Sequence, residues 1–293
     1  MTKLIFGCGY LGERIARRWC DAGHEVLIVT RSSVRAKAFQ QAGYGAIVAE
    51  MTQLATLVGL PAADTVLFAV GFDRSAAVSI GDVYAGGVRN VLSALPSDTG
   101  RFIYISTTGV YGNAYGGWVD EETPPDPQRD GGQASLAAEQ ALAESPFASR
   151  GIILRLAGIY GPGRIPFLDQ LRAGEPIPAV SEGYLNLIHV DDAASVVVAS
   201  AELNRKRSMY CVSDGHPVAR AEYYREVARQ IGAPSPTFVT PDPHSPRAAR
   251  AEADRRVTNT RMLAELGVRL AFPDYRAGLA AILGGCESAG RAV

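Results

Sequence analysis

Near the amino terminus, Gly7-Cys8-Gly9-Tyr10-Leu11-Gly12 has the G-x-G-x-x-G spacing of a loop that cradles a dinucleotide's phosphates. The first glycine permits a tight turn, the second lets backbone approach a pyrophosphate, and the third lets a helix pack against the preceding strand. A helix beginning there offers unsatisfied N–H donors and a positive dipole end. The next strand ends in Ile28-Val29-Thr30, followed by Arg31-Ser32-Ser33 and Arg35. An NAD site places an acid about 20 residues beyond the glycines to accept the ribose 2′-hydroxyl. None stands here, so no carboxylate is expected to repel a 2′-phosphate. Arg31 can face that phosphate with a planar guanidinium and Ser32 can donate a hydroxyl. NADP(H) is therefore the expected cofactor in preference to NAD(H), with Thr30, Arg31, Ser32 and Arg35 around the adenine ribose. The competing reading of these residues is a solvated loop.

Other chemistry-bearing residues point less far. Cys8, Cys20, Cys211 and Cys286 include no C-x-x-C pair, and His24, His189, His216 and His244 are dispersed, so no metal site is expected. The paired acids Glu121 and Glu122 read as a solvated face rather than a catalytic dyad. Arg205-Lys206-Arg207 reads as a surface turn.

These residues need elements to hold them. Lys3–Phe6, Glu25–Thr30, Ala46–Ala49, Thr65–Val70, Phe102–Ser106 and Ile152–Leu156 read as strands. Leu11, Ile15 and Trp19 at helical spacing give a first helix, ended by Ala22-Gly23, and Val83–Leu95 gives another. Apolar strands alternating with helices predict an α/β fold, a Rossmann-type doubly wound parallel sheet covered on both faces. Beyond Gly163 the pattern changes to proline-rich loops, a return strand near Met209–Val212 and helices around Glu222–Ile231 and Thr260–Leu266. A smaller C-terminal substrate lobe is expected over the sheet's carboxyl edge. Residues 1–163, with a return segment near 187–213, would bind the dinucleotide, and residues 164–186 and 214–293 would form the lobe. Asp120–Gly132 and Pro234–Pro246 read as loops long enough to act as lids.

Three further segments carry a family resemblance: Ile105-Ser106-Thr107-Thr108-Gly109-Val110-Tyr111-Gly112, Leu154-Arg155-Leu156-Ala157-Gly158-Ile159-Tyr160-Gly161-Pro162-Gly163, and Leu187-Ile188-His189-Val190-Asp191-Asp192. With the glycine loop, in this order, they resemble the extended short-chain dehydrogenase/reductase superfamily, the nucleotide-sugar epimerase/dehydratase group. Arg256-Val257-Thr258-Asn259 with Phe272-Pro273-Asp274-Tyr275-Arg276 resembles an atypical branch. The resemblance implies dinucleotide contacts from Ala69-Val70-Gly71 and Ala157-Gly158-Ile159. It implies that Thr107 matches a catalytic Ser/Thr, although a strand-end structural role is equally open. Thr108, Arg164 and Asn186 are implied to touch substrate, and His189 to fix a helix start with Asp191 or Asp192 as its cap. Active relatives carry a Tyr-x-x-x-Lys pair ahead of a helix glutamate. Alignment on Glu139 puts Gly131 and Ser135 at those positions, and the only lysines are Lys3, Lys37 and Lys206. The usual acid/base pair is thus expected to be missing. Tyr111 could place a hydroxyl near the nicotinamide, with Arg129 or Arg164 depressing its pKa from about 10. The competing reading, an aromatic packed against the cofactor's edge, is the one favoured for Tyr111.

Lys and Arg number 29 against 30 Asp and Glu, so no global field favours nucleic acid or an anionic membrane. No apolar run reaches the ~18–20 residues of a membrane helix, and the chain opens on Thr2-Lys3-Leu4-Ile5-Phe6 without a leader pattern, so a cytoplasmic protein is expected. The reading is an NADP(H)-dependent oxidoreductase or epimerase/dehydratase-like enzyme acting on a small polar, nucleotide-linked or unlinked substrate. The alternative is an NADP(H)-binding sensor or scaffold without turnover. The resemblance leaves a homodimer open, but no apolar stripe can be assigned to an interface rather than the core.

Overall fold

A computed structural model describes residues 1–75, 77–203, 209–242 and 253–289. The Arg205-Lys206-Arg207 cluster and part of the Pro234–Pro246 loop lie outside them. The chain runs through β1 (Thr2–Phe6), α1 (Gly12–Asp21), β2 (Glu25–Thr30), α2 (Ser33–Gln41), β3 (Gly45–Val48), β4 (Thr65–Phe68), α3 (Gly87–Ala94), β5 (Arg101–Thr107), β6 (Trp118–Val119), α4 (Asp130–Ala143) and β7 (Gly151–Leu156). Six of these strands and Met209–Val212 make one seven-stranded sheet, in the order Met209–Val212, β7, β5, β4, β1, β2, β3. Every pairing in it is parallel. Such a sheet is covered on both faces, which is why β4 and β7 are buried at every position instead of alternating. The order reverses at β1, so the crevice for a ligand opens beyond the carboxyl ends of β1 and β4.

On one face Ile15, Ala16 and Trp19 of α1 pack with Val196 and Val197 of the helix Val190–Ala201. On the other, Val88, Val91 and Leu92 of α3 meet Ala138, Ala141 and Leu142 of α4. The expected Val83–Leu95 helix is two pieces: a π-type turn over Asp82–Gly86 runs into α3. Asp130, Gly131 and Gly132, expected in a loop, already belong to α4.

Segments after β7, other than the helix Val190–Ala201 and the sheet strand Met209–Val212, gather into a further core. That core joins Leu171, Tyr223, Tyr224 and Val227 to Tyr275, Leu279 and Leu283 of a helix over Tyr275–Ala289. Two short strand pairs tie lobe to sheet. Gly158–Tyr160 runs parallel to Leu187–His189, and β6 runs parallel to Arg256–Val257. Asp192 accepts the backbone N–H groups of Ala271 and Phe272, pinning the chain that leads into the last helix. His189 itself caps the helix Val190–Ala201, its Nδ1 accepting the Asp191 N–H, in place of the expected Asp191 or Asp192. Among the described residues no helix is long and apolar enough to cross a membrane.

Candidate active site

Gly7 sits at φ +90°, and a Cβ there would come within 2.5 Å of the Ala69 backbone. A Cβ on Gly12 would meet the Gly7 carbonyl at 2.5 Å. These glycines let β1, β4 and α1 close together. Gly9 differs: a Cβ there would meet nothing within 4 Å. Its bare face opens onto a cleft, beside the α1 amino terminus, which no side chain caps. Backbone donors at an uncapped helix start with open space before them fit a diphosphate. The Cys8 thiol is buried in that loop, and burial pushes its pKa up to about 12, so it is no thiolate nucleophile.

The cleft holds about 1590 Å³ and runs from Arg31 and Arg35, past the glycine loop and Thr107, to Arg220 and Arg255. That exceeds the roughly 300–1,000 Å³ of a drug-sized ligand pocket, leaving room for a dinucleotide and a second molecule. Of the expected cofactor contacts, Gly7 to Gly12, Thr30, Arg31, Arg35, Ala69 to Gly71 and Ala157 to Ile159 all line it. Ser32 does not. Its hydroxyl caps α2 by accepting the Arg35 N–H.

Arg31 has a carboxylate neighbour after all. Its Nη2 lies 2.8 Å from Oδ2 of Asp73 in the segment after β4. The two are 42 residues apart, but β2 and β4 flank β1 and end at one sheet edge. Asp73 is held below the usual carboxylate range, first by the Ser75 hydroxyl and N–H and then by Arg31. Arg35 donates to the Cys8 carbonyl at 2.6 Å and so lies across the glycine loop.

Thr107 ends β5 in the cleft, its Oγ1 accepting the Gly109 N–H at 3.0 Å. That bond occupies a lone pair and leaves the hydroxyl proton free to point at a ligand. Tyr111, expected beside it, does not reach the cleft. A 3₁₀ turn over Thr108–Tyr111 rotates the ring inward, where it is 3% exposed and its hydroxyl lies 2.9 Å from Cys211 Sγ. Burial raises its pKa, and the guanidinium over its ring is that of Arg155. A buried phenol held neutral behind the cleft wall is not the expected acid/base.

Behind that wall lies a buried polar cluster. Ser106 donates to Glu139 at 2.5 Å, Glu139 receives Arg155 at 3.0 and 2.6 Å, and the Arg155 guanidinium lies over the Tyr111 ring, 4.9 Å from its centre. Burial works against the Arg155 charge, but the Glu139 carboxylate more than offsets it and keeps the guanidinium's pKa high. Gly131, Gly132 and Ser135 of α4 line the cleft, and Ser135 donates to the Gly131 carbonyl at 2.8 Å. No lysine lies among the described residues lining the cleft.

The expected substrate contacts divide. Thr108 lines the cleft near Thr107. Arg164 stacks over Tyr10, 5.2 Å from the ring centre, at the glycine-loop end rather than the lobe end. Asn186 also lines the cleft, but its amide is engaged by the Arg255 carbonyl and the Val257 N–H, at 2.9 and 2.7 Å. Glu121 is no solvated acid: its side chain is 3% exposed and accepts the Cys211 N–H. Sequence reasoning overlooked Asp73, Arg220 and Arg255. Arg255 had a signal, because strand alternation puts it on the face of the fully buried Val257.

The model of the NAD dependent epimerase/dehydratase family matches residues 4–212. Protein YeeZ of Escherichia coli strain K12 is 32% identical over 183 residues, which span 62% of this chain and 62% of that relative. A structure from Methylobacillus flagellatus, described as an NAD-dependent epimerase/dehydratase, is 30% identical, with 98% of each chain covered and a TM-score of 0.77. Human epimerase family protein SDR39U1, solved with NADPH, is alike in fold, at 19% identity, 97% and 99% coverage and a TM-score of 0.80.

Proposed function

The chain belongs to the NAD dependent epimerase/dehydratase family, and from that premise we propose that it is an NADP(H)-dependent oxidoreductase or epimerase-like enzyme for a small polar substrate. The carrying observation is the bare face of Gly9, set before an uncapped helix and opening onto a cleft that leads to Thr107. The glycine loop and the start of α1 would hold the diphosphate, and Arg31 and Arg35 the adenine-ribose end. Ala157, Gly158 and Ile159 would flank the nicotinamide. Residues 1–163 with 187–213 would serve the dinucleotide, and residues 164–186 and 214–293 the substrate.

The bound dinucleotide supplies hydride chemistry. Thr107, with its acceptor side occupied by Gly109, donates its proton in a hydrogen bond to a substrate oxygen. The buried bonds Ser106–Glu139–Arg155 fix the end of β5 and so the direction of that hydroxyl. Orientation and hydrogen bonding, rather than a strong side-chain base, are this protein's contribution.

The test is a calorimetric titration of the purified chain with NADPH and NADH, followed by turnover assays on a panel of carbonyl compounds and nucleotide sugars. NADPH binding more tightly, with Arg31→Asp erasing the difference, is the expected result. Equal affinities that ignore Arg31→Asp would end the NADP(H) assignment. Tight binding without turnover on any panel member would favour the sensor reading.

A further inference from the structure

Between the glycine loop and Thr107 the cleft is walled by two stretches of chain. The end of β4 supplies Ala69, Val70 and Gly71, and the first turns of α4 supply Gly131, Gly132 and Ser135. Their side chains offer little to a hydroxyl-bearing ligand. Three are glycines, two are apolar, and Ser135 already donates to the Gly131 carbonyl at 2.8 Å. A Cβ on Gly131 would have Ile80 Cδ1, at 3.7 Å, as its nearest neighbour, so the space before α4 is open and is bounded by the segment carrying Ile80.

That segment runs into the π-type turn Asp82–Gly86, which packs on α4. A π turn bonds residue i to i+5 and so re-aims the side chains within it, and such turns recur at functional sites. Val83 and Ala85 are buried, and Tyr84 between them is half-buried. The Tyr84 ring packs on the core that holds Val88 and Tyr104, yet the residue lines the cleft. Its apolar body is thus anchored while its polar tip is left to the cleft. Tyr104, sealed behind, feels both Ser135 and Tyr84, which places Tyr84 beside α4. Among the described residues the Tyr84 hydroxyl donates to no other group. Burial raises its pKa, and the Phe72 backbone offsets only part of the rise. The phenol therefore keeps its proton at neutral pH.

Strand order says what must pass this wall. The sheet runs β7, β5, β4, β1. A dinucleotide with its diphosphate at the loop after β1 and its nicotinamide against Ala157–Ile159, after β7, lays the ribose between them across the ends of β4 and β5. We propose that Tyr84 is the ligand of that ribose, its phenol donating a hydrogen bond to a nicotinamide-ribose hydroxyl and so fixing where the nicotinamide lies relative to Thr107. This rests on the proposed seating of the dinucleotide and adds to it a contact that the glycine loop cannot make. No lysine lines the cleft among the described residues, so a neutral phenol rather than an ammonium does this work.

Calorimetric titration of the full chain with NADPH, and with 2′-phosphoadenosine 5′-diphosphate, which lacks the nicotinamide ribose, tests the contact. Tyr84→Phe keeps the packed ring and removes only the hydroxyl. It should leave Tm and the affinity for the diphosphate fragment unchanged and weaken NADPH about threefold to tenfold, the worth of one net hydrogen bond. An NADPH analogue with a deoxygenated nicotinamide ribose gives a second reading that needs no variant to fold. Wild type should bind it more weakly than NADPH by the same factor, and Tyr84→Phe should bind the two alike. NADPH affinity within about twofold of wild type in Tyr84→Phe would overturn the contact. So would an equal loss for the fragment, which would mean that Tyr84 acts through the shape of the groove. Wild-type protein that binds neither molecule would sink the cofactor reading itself, whereas tight wild-type binding indifferent to Tyr84→Phe would sink the ribose contact alone.

Discussion

Two hydroxyls one turn apart, Thr107 and Tyr111, are assigned opposite work by their surroundings. Thr107 opens onto the cleft with one lone pair already occupied by Gly109, while Tyr111 is sealed against Cys211 and Arg155. Thr107→Val should therefore depress turnover at least tenfold while leaving the NADPH dissociation constant unchanged, read from kcat and from titration. It should also cost about 1 kcal/mol of stability, because the hydroxyl caps the turn that follows. Tyr111→Phe should do the reverse, lowering Tm through the loss of one buried hydrogen bond of about 1 kcal/mol, with kcat intact. The sequence placed both residues at the end of the right strand. It could not show which faced the cleft, because a 3₁₀ turn breaks the strand's alternation at Thr108.

At the scale of elements, the glycine loop divides its duties. Gly7→Ala forces a side chain into the left-handed region and against the Ala69 backbone, so Tm should fall along with dinucleotide affinity. Gly9→Ala meets no protein atom, so Tm should hold while affinity falls, and thermal melts with titrations separate the two. The α4–β7 contact is a buried ion pair. Glu139→Leu would strand the Arg155 charge and should cost about 3–5 kcal/mol, measured by denaturant unfolding. Where sheet meets lobe, Asp214 is buried and its pKa is pushed up to about 7 by desolvation, with Oδ2 unpartnered among the described residues. Its folded pKa exceeds the unfolded value of 3.8. The folded state therefore binds more protons, and stability declines as pH rises from about 4 to 7. Asp214→Asn should flatten that decline and raise Tm at pH 8.

Across the whole molecule, the parallel sheet and the glycine loop were legible because local patterns carry them: β-branched runs, helical spacing and a fixed glycine rhythm. The far end of the cleft was not. Arg129, Arg220 and Arg255 lie on segments separated by long stretches of chain, and only the topology that folds the lobe over the sheet unites them. NADPH at about a hundred times its dissociation constant should stabilise the folded chain by about 2.7 kcal/mol, a shift that thermal melts would register. The Arg31–Asp73 pair adds a consequence of its own, because strands β2 and β4 hold it across the mouth of the groove. On the proposed seating of the extra phosphate at Arg31, a dinucleotide bearing it would have to evict a resident carboxylate, whereas one without it would leave the clasp closed. Asp73→Asn removes the tenant, and NADPH should then gain affinity while NADH does not.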